Sequence, residues 1–265
     1  MEFDNGQRID WGLTSSDYAR HRPGPPESFY EKLSALGVGL PGQRIADLGT
    51  GTGVLAREFA RRGCVVSGVD VAANQVEAAR LLALEGRLDV DFSVAPAEET
   101  GLEDSTFDVV TANQCWLYFD LKRAISEVRR ILKPGGLLVV SYFSHLPRAD
   151  AVAKASEQLI LRYNPHWSGA DWDGRVPARP GWSRDAFELR AMFYYDEPVT
   201  FSKESWRGRV RALRGIGATL SDEKVRAFDK EHAALLDLLV DGAFTVLHRV
   251  NAHVFEFSDT SRSAV

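Results

Sequence analysis

The sequence predicts an α/β fold in which helices cover a mostly parallel sheet. Between residues 44 and 143, short apolar runs alternate with amphipathic segments, which is the pattern of repeated strand–helix units. The first unit joins a strand, Arg44–Ala46, to a helix, Val54–Ala60, through a turn that contains three glycines. A later run, Thr106–Ala112, has the composition of a central parallel strand that is buried on both faces.

The turn after the first strand has the chemistry of a nucleoside-binding loop. Gly49, Gly51 and Gly53 allow positive φ angles and a close backbone approach to a ligand, and a helix N-terminus follows them. The dinucleotide pattern Gly-x-Gly-x-x-Gly is absent because its sixth position is Val54, and no phosphate-binding loop with Gly-Lys occurs. Asp70 ends the next apolar run about 20 residues on, where a carboxylate can accept both hydroxyls of a ribose.

The other core elements follow in order along the chain. Their boundaries come from apolar periodicity, helix N-caps and the stop signal Lys-Pro-Gly-Gly at residues 133–136. Helices are expected at Glu27–Leu36, Asn74–Leu84, Leu121–Leu132 and Asp150–Leu161. Strands are expected at Cys64–Val69, Asp89–Val94 and Leu137–Phe143.

Four motifs resemble, in order and spacing, those of the class I S-adenosylmethionine-dependent methyltransferases. They are Asp47–Gly53, Asp70, Phe107–Val110 and Leu132–Gly136, and the similarity covers residues 15–142. Within that family the chain is similar to the branch of ubiquinone and menaquinone biosynthesis methyltransferases and trans-aconitate methyltransferase. The resemblance implies a Rossmann-like, mostly parallel seven-stranded sheet with helices on both faces, an N-terminal helical lid and an inserted aromatic-rich cap.

The common core of that family needs two more strands, which Ala191–Phe201 and Thr245–Phe257 could supply. We therefore expect five segments along the chain. They are a helical lid at 1–40, the cofactor-binding core at 41–145, a substrate cap at 146–217, completion of the core at 218–257 and a disordered tail at 258–265.

The resemblance also implies the cofactor S-adenosyl-L-methionine and the residues that bind it. Tyr18 and Arg22 would close over the cofactor and pair its methionyl carboxylate, although Arg22 could instead be a solvated surface residue. Ala97 and Glu98 would flank the adenine, but Glu98 could simply be a charge at a helix N-terminus. The predicted cofactor set is Tyr18, Arg22, Asp47, Gly49, Thr50, Gly51, Gly53, Asp70, Val71, Gln75, Ala97, Glu98, Asn113 and Gln114.

Residues after the predicted strands 106–112 and 137–143 are expected to face the acceptor, because ligands bind at the carboxyl ends of such strands. Gln114 and Trp116 would line the space for methyl transfer, while the alternative for Trp116 is core packing. Tyr142 and His145 end the fifth strand at the same edge. Relatives often carry a His in a segment that here reads Leu-Tyr-Phe-Asp, so no base is expected at Leu117.

The stretch 146–217 holds four of the six tryptophans, at 167, 172, 182 and 206. Such a cluster suits a flat or apolar acceptor, with Trp167 as a candidate contact, but it could equally form the core of a small cap. Arg207, Arg211 and Arg214 would form one stripe on a helix. The stripe could hold an acceptor carboxylate through Arg207, but we favour a solvated face that meets the acidic helix carrying Glu223, Asp229 and Glu231.

The predicted chemistry needs alignment more than it needs a base. A sulfonium already makes its methyl group electrophilic, so the protein must hold the acceptor in line and exclude water. His145 and His166 are the candidate bases by position, with Gln114 as a further catalytic candidate, and each histidine could instead be structural. No cysteine, histidine and carboxylate spacing indicates a metal site.

Composition limits the remaining function classes. The chain has 265 residues, 45% of them hydrophobic, a formal net charge of −5, two cysteines and no apolar run of about 18 residues. We therefore expect a soluble, cytoplasmic enzyme with a small-molecule acceptor, without a nucleic-acid or membrane partner, and we make no prediction of its oligomeric state. The alternatives are a non-catalytic S-adenosylmethionine-binding scaffold and, less favoured, an NAD(P)-dependent oxidoreductase.

Overall fold

The computed structural model describes residues 3–10, 13, 20, 21, 23–184 and 186–257. The predicted cofactor residues Tyr18 and Arg22 lie outside the described residues, as does the predicted tail 258–265.

Strands and helices alternate through the first half of the described chain. The strands are β1 (Phe3–Asp4), β2 (Gln7–Arg8), β3 (Arg44–Leu48), β4 (Val65–Asp70), β5 (Val90–Val94), β6 (Phe107–Asn113), β7 (Leu132–His145), β8 (Glu188–Phe201) and β9 (Phe244–Glu256). The helices are α1 (Glu27–Ala35), α2 (Val54–Arg61), α3 (Ala73–Glu85), α4 (Leu121–Ile131), α5 (Ala151–Tyr163), α6 (Lys203–Arg211) and α7 (Asp222–Leu239).

Seven strands form one sheet in the order β5-β4-β3-β6-β7-β9-β8, while β1 and β2 pair separately. The pairs β3–β4, β3–β6, β4–β5 and β6–β7 are parallel. β9 runs antiparallel to β7, because Leu146 N donates to Leu247 O while Phe257 N donates to Gly136 O.

The predicted mostly parallel, seven-stranded α/β sheet is confirmed. The two strands expected late in the chain are β8, which runs unbroken through Pro198, and β9.

The apolar periodicity places the helix faces as expected. In α3, Val76, Ala79 and Ala83 are buried at helical spacing, which gives this crossover helix one face toward the sheet. β3 is buried from Ile45 to Leu48, in keeping with a central parallel strand. Helix α4 begins where the Asp120 side chain accepts a hydrogen bond from Arg123 N, a standard N-cap.

Strand β7 runs from Leu132 to His145, but its pairing with β6 is interrupted at the segment Lys-Pro-Gly-Gly, residues 133–136. Phe107 pairs with Leu132 and Val109 pairs with Leu137, so residues 133–136 are left over on the β7 side. Gly135 adopts a φ of 77°, which other residues rarely take. The predicted turn therefore exists as an irregular bulge within a longer strand.

The described chain divides into two compact units, each with its own core. Unit 1 comprises residues 1–23, 144–175 and 195–249, and Trp206, Phe228 and Val246 lie in its core. Unit 2 comprises residues 24–143, 176–194 and 250–265, and Leu48, Val110 and Phe255 lie in its core. Across the described ranges, no helix is both long and apolar enough to cross a membrane.

Candidate functional site

The glycine turn between β3 and α2 adopts the backbone that its sequence predicts. Gly49, Gly51 and Gly53 have φ angles of 63°, 55° and 74°, a region that side chains disfavour. A Cβ on Gly49 would lie 2.8 Å from the Cys115 side chain, and one on Gly53 would lie 2.8 Å from the Phe92 ring. Packing alone therefore requires glycine at the two outer positions, in addition to the backbone conformation.

The carboxylate of Asp47 is hydrogen-bonded to the glycine turn and to the neighbouring strand β6. Its carboxylate is buried and accepts hydrogen bonds from Thr50 Oγ1 at 2.7 Å and from Thr111 Oγ1 at 2.6 Å. Burial raises the pKa of Asp47 to about 6, against the opposing effect of the Thr111 and Thr50 hydrogen bonds. The structure thus gives the predicted cofactor residues Asp47 and Thr50 a positioning role inside unit 2.

Asp70, at the end of β4, is tied to the same turn. Its Oδ2 accepts from Gly51 N at 2.8 Å and its Oδ1 accepts from Ala72 N at 2.9 Å. Burial raises the pKa of Asp70, while the N–H groups of Ala72 and Gly51 lower it. Because each carboxylate oxygen can accept more than one hydrogen bond, Asp70 retains acceptor capacity beside the turn.

The residues predicted to surround the adenine and ribose have unlike environments. Val71 is 70% exposed beside Asp70, as an apolar contact for a ligand would be, whereas the predicted contact Gln75 is buried in α3. Ala97 is buried, and Glu98 Oε1 accepts from Asp120 N at 2.7 Å, at the N-terminus of α4. This placement agrees with the alternative interpretation of Glu98 as a charge at a helix N-terminus.

Two neighbouring residues at the end of β6 are bound to β7. Asn113 Oδ1 accepts from Ser141 Oγ at 3.1 Å. Gln114 N donates to Ser141 O at 2.9 Å, and its side-chain Nε2 donates to Phe143 O. Gln114 has a φ of 67°, an uncommon conformation for a residue with a side chain, and such strain is concentrated at functional sites.

An aromatic cluster follows β6 within unit 2. Trp116 is buried, with its ring 4.9 Å from that of Trp182 and 5.8 Å from that of Phe119, measured between centroids. Trp182 also packs against Phe255 at 5.1 Å. Core packing, the alternative considered for Trp116, is thus what the structure describes. Burial raises the pKa of Tyr142, the predicted acceptor contact on β7.

In unit 1, His145 belongs to a chain of hydrogen bonds that sequence analysis did not foresee. His145 Nε2 lies 2.8 Å from Glu157 Oε1, and both side chains are buried. Glu157 Oε2 accepts from Asp171 N at 2.7 Å. The signal that could have revealed Glu157 is its position four residues after Ala153 on the buried face of α5, where a charged residue needs a partner.

The other predicted histidine has a different environment. His166 is exposed, and its carbonyl oxygen accepts a hydrogen bond from Asn5 Nδ2 at 2.8 Å. His166 and His145 lie in the same unit, but the hydrogen-bonded carboxylate partner belongs to His145.

Two tryptophans of the predicted cap form the core of unit 1. Trp167 and Trp206 are buried in the same apolar cluster, and Trp206 Nε1 donates to Ser156 Oγ at 2.9 Å. Ser156 Oγ also lies 3.0 Å from His232 Nε2, and burial lowers the pKa of His232 to about 4. For Trp167 and Trp206, the structure therefore agrees with the alternative interpretation that the tryptophans form the core of a small cap.

The predicted arginine stripe is only partly correct. Helix α6 ends at Arg211, so Arg214 lies beyond it and pairs with Asp4 at 3.3 Å. Arg207 Nε and Arg211 Nη1 bind Asp229 Oδ1 at 3.1 and 2.5 Å, as the favoured interpretation predicts. Burial raises the pKa of Asp229, but the hydrogen bonds from both arginines outweigh burial and hold it below its ordinary value.

Residues 46–140 match a known family described as "Methyltransferase domain". The ubiquinone biosynthesis O-methyltransferase of Xanthomonas campestris pv. campestris (strain B100) is 33% identical over 184 residues, covering 67% of this chain and 73% of that protein. Its counterpart in Xanthomonas oryzae pv. oryzae (strain PXO99A) is 33% identical over 179 residues, covering 65% and 71%.

Solved structures show the same fold at low sequence identity. The MccD protein aligns with a TM-score of 0.54 at 18% identity, covering 88% of this chain and 97% of that chain. Phosphoethanolamine N-methyltransferase 2 of Haemonchus contortus, in complex with S-adenosyl-L-methionine, aligns with a TM-score of 0.53 at 20% identity, covering 97% and 58%.

Proposed function

Because the chain belongs to the class I S-adenosylmethionine-dependent methyltransferases, whose cofactor is S-adenosyl-L-methionine, we propose that it methylates a hydroxyl group of a small aromatic or apolar molecule. The observation that carries the cofactor assignment is the glycine turn, where Asp70 Oδ2 accepts from Gly51 N at 2.8 Å. The names of the Xanthomonas relatives, which are O-methyltransferases, support a hydroxyl as the acceptor group.

The residues of unit 2 fit the cofactor. The backbone at Gly51 has the left-handed φ that permits a close approach, and the carboxylate of Asp70 retains acceptor capacity beside it. Exposed Val71 offers an apolar surface to the nucleoside. We propose that Asp47, Thr50 and Gln75 shape this site from within, since their side chains are buried. Tyr18 and Arg22 remain the predicted partners of the methionyl carboxylate.

The residues after β6 favour a small, weakly polar acceptor. Residues 113–119 read Asn-Gln-Cys-Trp-Leu-Tyr-Phe and contain no charged side chain. Trp182 is only partly buried where it packs on Trp116, so its exposed part offers a rigid aromatic surface within the same unit, of the kind that binds flat ligands. A net charge of −5 offers no basic field for nucleic acid.

The chemistry is a displacement in line with the carbon–sulfur bond. When bound, S-adenosylmethionine supplies an electrophilic methyl group and leaves as S-adenosylhomocysteine, the electrons of the broken bond staying on sulfur. The acceptor hydroxyl gives up its proton to a base, for which His145 and His166 are the candidates, and its oxygen forms the new bond to carbon. Gln114, held by Ser141 and Phe143 at the end of β6, is proposed to position the reactants.

The decisive experiment has two stages. Calorimetric titration of ligand-free protein with S-adenosylmethionine and S-adenosylhomocysteine should show binding of both. Incubation with labelled methyl donor and a panel of phenols and catechols should then yield labelled ethers, while the matching methyl ethers serve as unreactive controls. Transfer to amines instead would refute the hydroxyl assignment. Cofactor binding without transfer to any acceptor would favour the non-catalytic scaffold.

The choice between the two candidate bases has a matched pair of variants. If His145 is the base, His145→Asn should lower kcat and leave cofactor affinity unchanged; because the substitution also removes the partner of buried Glu157, its free energy of unfolding is measured as well. His166→Asn, in the same unit but exposed, should retain turnover. The reverse result would transfer the base role to His166.

A further inference from the structure

We propose that Cys115 is a positioning residue for the cofactor: its thiol holds the segment after β6 against the glycine turn, while Gln114 fixes the same segment to β7. Together these two residues form a clamp across three central strands, since β6 lies between β3 and β7. The contacts of the clamp all lie in unit 2, at residues 48, 49, 114, 115, 141 and 143. The inference deepens the proposed cofactor site and rests on it, but it is independent of the choice of acceptor atom.

The first step is the direction in which each residue of the clamp is bonded. Gln114 N donates to Ser141 O at 2.9 Å, and Gln114 Nε2 donates to Phe143 O, so this residue is bound twice to β7. The next residue, Cys115, donates from its Sγ to Leu48 O, at the end of β3, at 3.1 Å. Consecutive residues are therefore bound to the two strands on opposite sides of β6.

The second step is the contact between Cys115 and the glycine turn. Gly49 directly follows β3, and a Cβ built on it would lie 2.8 Å from both Cβ and Sγ of Cys115. The same Cβ would lie 3.2 Å from Cζ of Phe119, in the segment that the clamp holds. No methyl group fits between the turn and this side chain, so the volume of residue 115 limits where the Gly49 backbone can lie.

The third step is the protonation state of the thiol, because sulfur donates a hydrogen bond only while it carries its proton. Burial raises the pKa of Cys115 well above its ordinary value, and the carboxylates of Asp47 and Asp70 raise it further. The thiol is therefore a lasting donor to Leu48 O at neutral pH. Its role is to hold the turn in place, and it is not proposed to touch the cofactor.

The test is calorimetric titration of the full chain with S-adenosylhomocysteine. Cys115→Ala should weaken binding about three- to tenfold, the scale of a weak S–H···O bond. Cys115→Ser retains a donor and should restore most of the affinity. The matched control is Cys64→Ala, because Cys64 Sγ donates to Leu40 O at 3.3 Å just before β4, whereas Asp70 ends that strand. Cys64→Ala should bind normally, even where its free energy of unfolding falls.

The clamp also predicts that Gln114 and Cys115 are coupled. Gln114→Ala keeps a Cβ on the left-handed backbone but removes the side-chain bond to Phe143 O, so it should weaken cofactor binding as well. Because both residues act through one segment, the double variant should bind no more weakly than the weaker single variant. Losses that multiply would show independent action and overturn the clamp.

A second measurement does not depend on the cofactor. Gly51 N is bonded to Asp70 Oδ2, so hydrogen exchange at this amide in ligand-free protein reports on the turn. Exchange should be faster in Cys115→Ala and Gln114→Ala and unchanged in Cys64→Ala.

Wild-type affinity in Cys115→Ala overturns the positioning role, and so does an equal loss in Cys64→Ala. If Cys115→Ala does not fold, Gln114→Ala decides, because wild-type affinity or wild-type exchange at Gly51 in that variant also overturns the clamp. Failure of the wild type to bind S-adenosylmethionine and S-adenosylhomocysteine would overturn the proposed function, whereas the exchange measurement would still decide the clamp.

Discussion

The carboxylate of Asp70 accepts a hydrogen bond from the backbone N–H of Gly51 at 2.8 Å, across 19 residues of sequence. The contact joins the end of β4 to the turn after β3, two strands that are paired in parallel. One side chain therefore sets the position of the glycine turn and presents acceptor atoms beside it.

Replacing Asp70 with alanine should weaken binding of S-adenosylmethionine by at least about tenfold, because hydrogen bonds to a charged acceptor contribute about 1.5–3 kcal/mol. Isothermal titration calorimetry measures the change. The control is Asp89→Ala, which replaces an exposed aspartate directly before β5 and should bind the cofactor normally. Normal affinity in Asp70→Ala would contradict the ribose role.

Replacing Gly51 with valine should abolish cofactor binding, because the side chain would enter the space that the backbone must approach. The variant also suffers the strain of a positive φ, about 1–2 kcal/mol. Gly101→Val is the matched control, since Gly101 has a φ of +72° with nothing within 4 Å of an added Cβ. Equal loss of stability in both variants, with cofactor binding lost only in Gly51→Val, is the expected outcome. Binding by folded Gly51→Val would refute the close approach.

Asp47 should make the protein less stable as pH rises. Burial raises its pKa from 3.8 to about 6, so the folded state binds this proton more tightly than the unfolded state does. The associated stability is present below the unfolded pKa of 3.8 and is lost as the pH rises through about 6. The loss is at most about 3 kcal/mol.

Urea unfolding of the wild type and Asp47→Asn across that pH range tests this assignment. The difference in free energy of unfolding between the two proteins should shift in favour of the variant as pH rises. His232, whose pKa burial lowers to about 4, acts in the opposite direction but is common to both proteins. A pH-independent difference would show that Asp47 keeps an ordinary pKa.

Replacing Arg207 with alanine should lower the free energy of unfolding by about 1 kcal/mol through loss of its pairing with Asp229. It should leave the acceptor KM unchanged, because the guanidinium is engaged within unit 1. Arg175→Ala removes a guanidinium that is 90% exposed and should alter neither quantity. A raised acceptor KM in Arg207→Ala with unchanged stability would restore the predicted substrate role.

Sequence reasoning succeeded where the chemistry is local to a short stretch of chain. The positive φ angles of Gly49, Gly51 and Gly53, the helix that follows them and the acidic residue ending β4 are all consequences of neighbouring residues. The mostly parallel, seven-stranded sheet followed from the resemblance of the motifs, whereas the order of its strands came from the structure. For this reason the α/β class, the seven-stranded sheet and the cofactor family were accessible before any coordinates.

By itself, then, the sequence determined the strand–turn–helix unit of the cofactor site, because backbone conformation and apolar periodicity are encoded by adjacent residues. Only the tertiary structure decided which side chains are partners, since these contacts join residues far apart in the chain. Trp116 meets Trp182, Arg207 meets Asp229, and His145 meets Glu157. Periodicity can mark a residue as buried, but the partner that satisfies a buried polar group is set by the packing of whole elements.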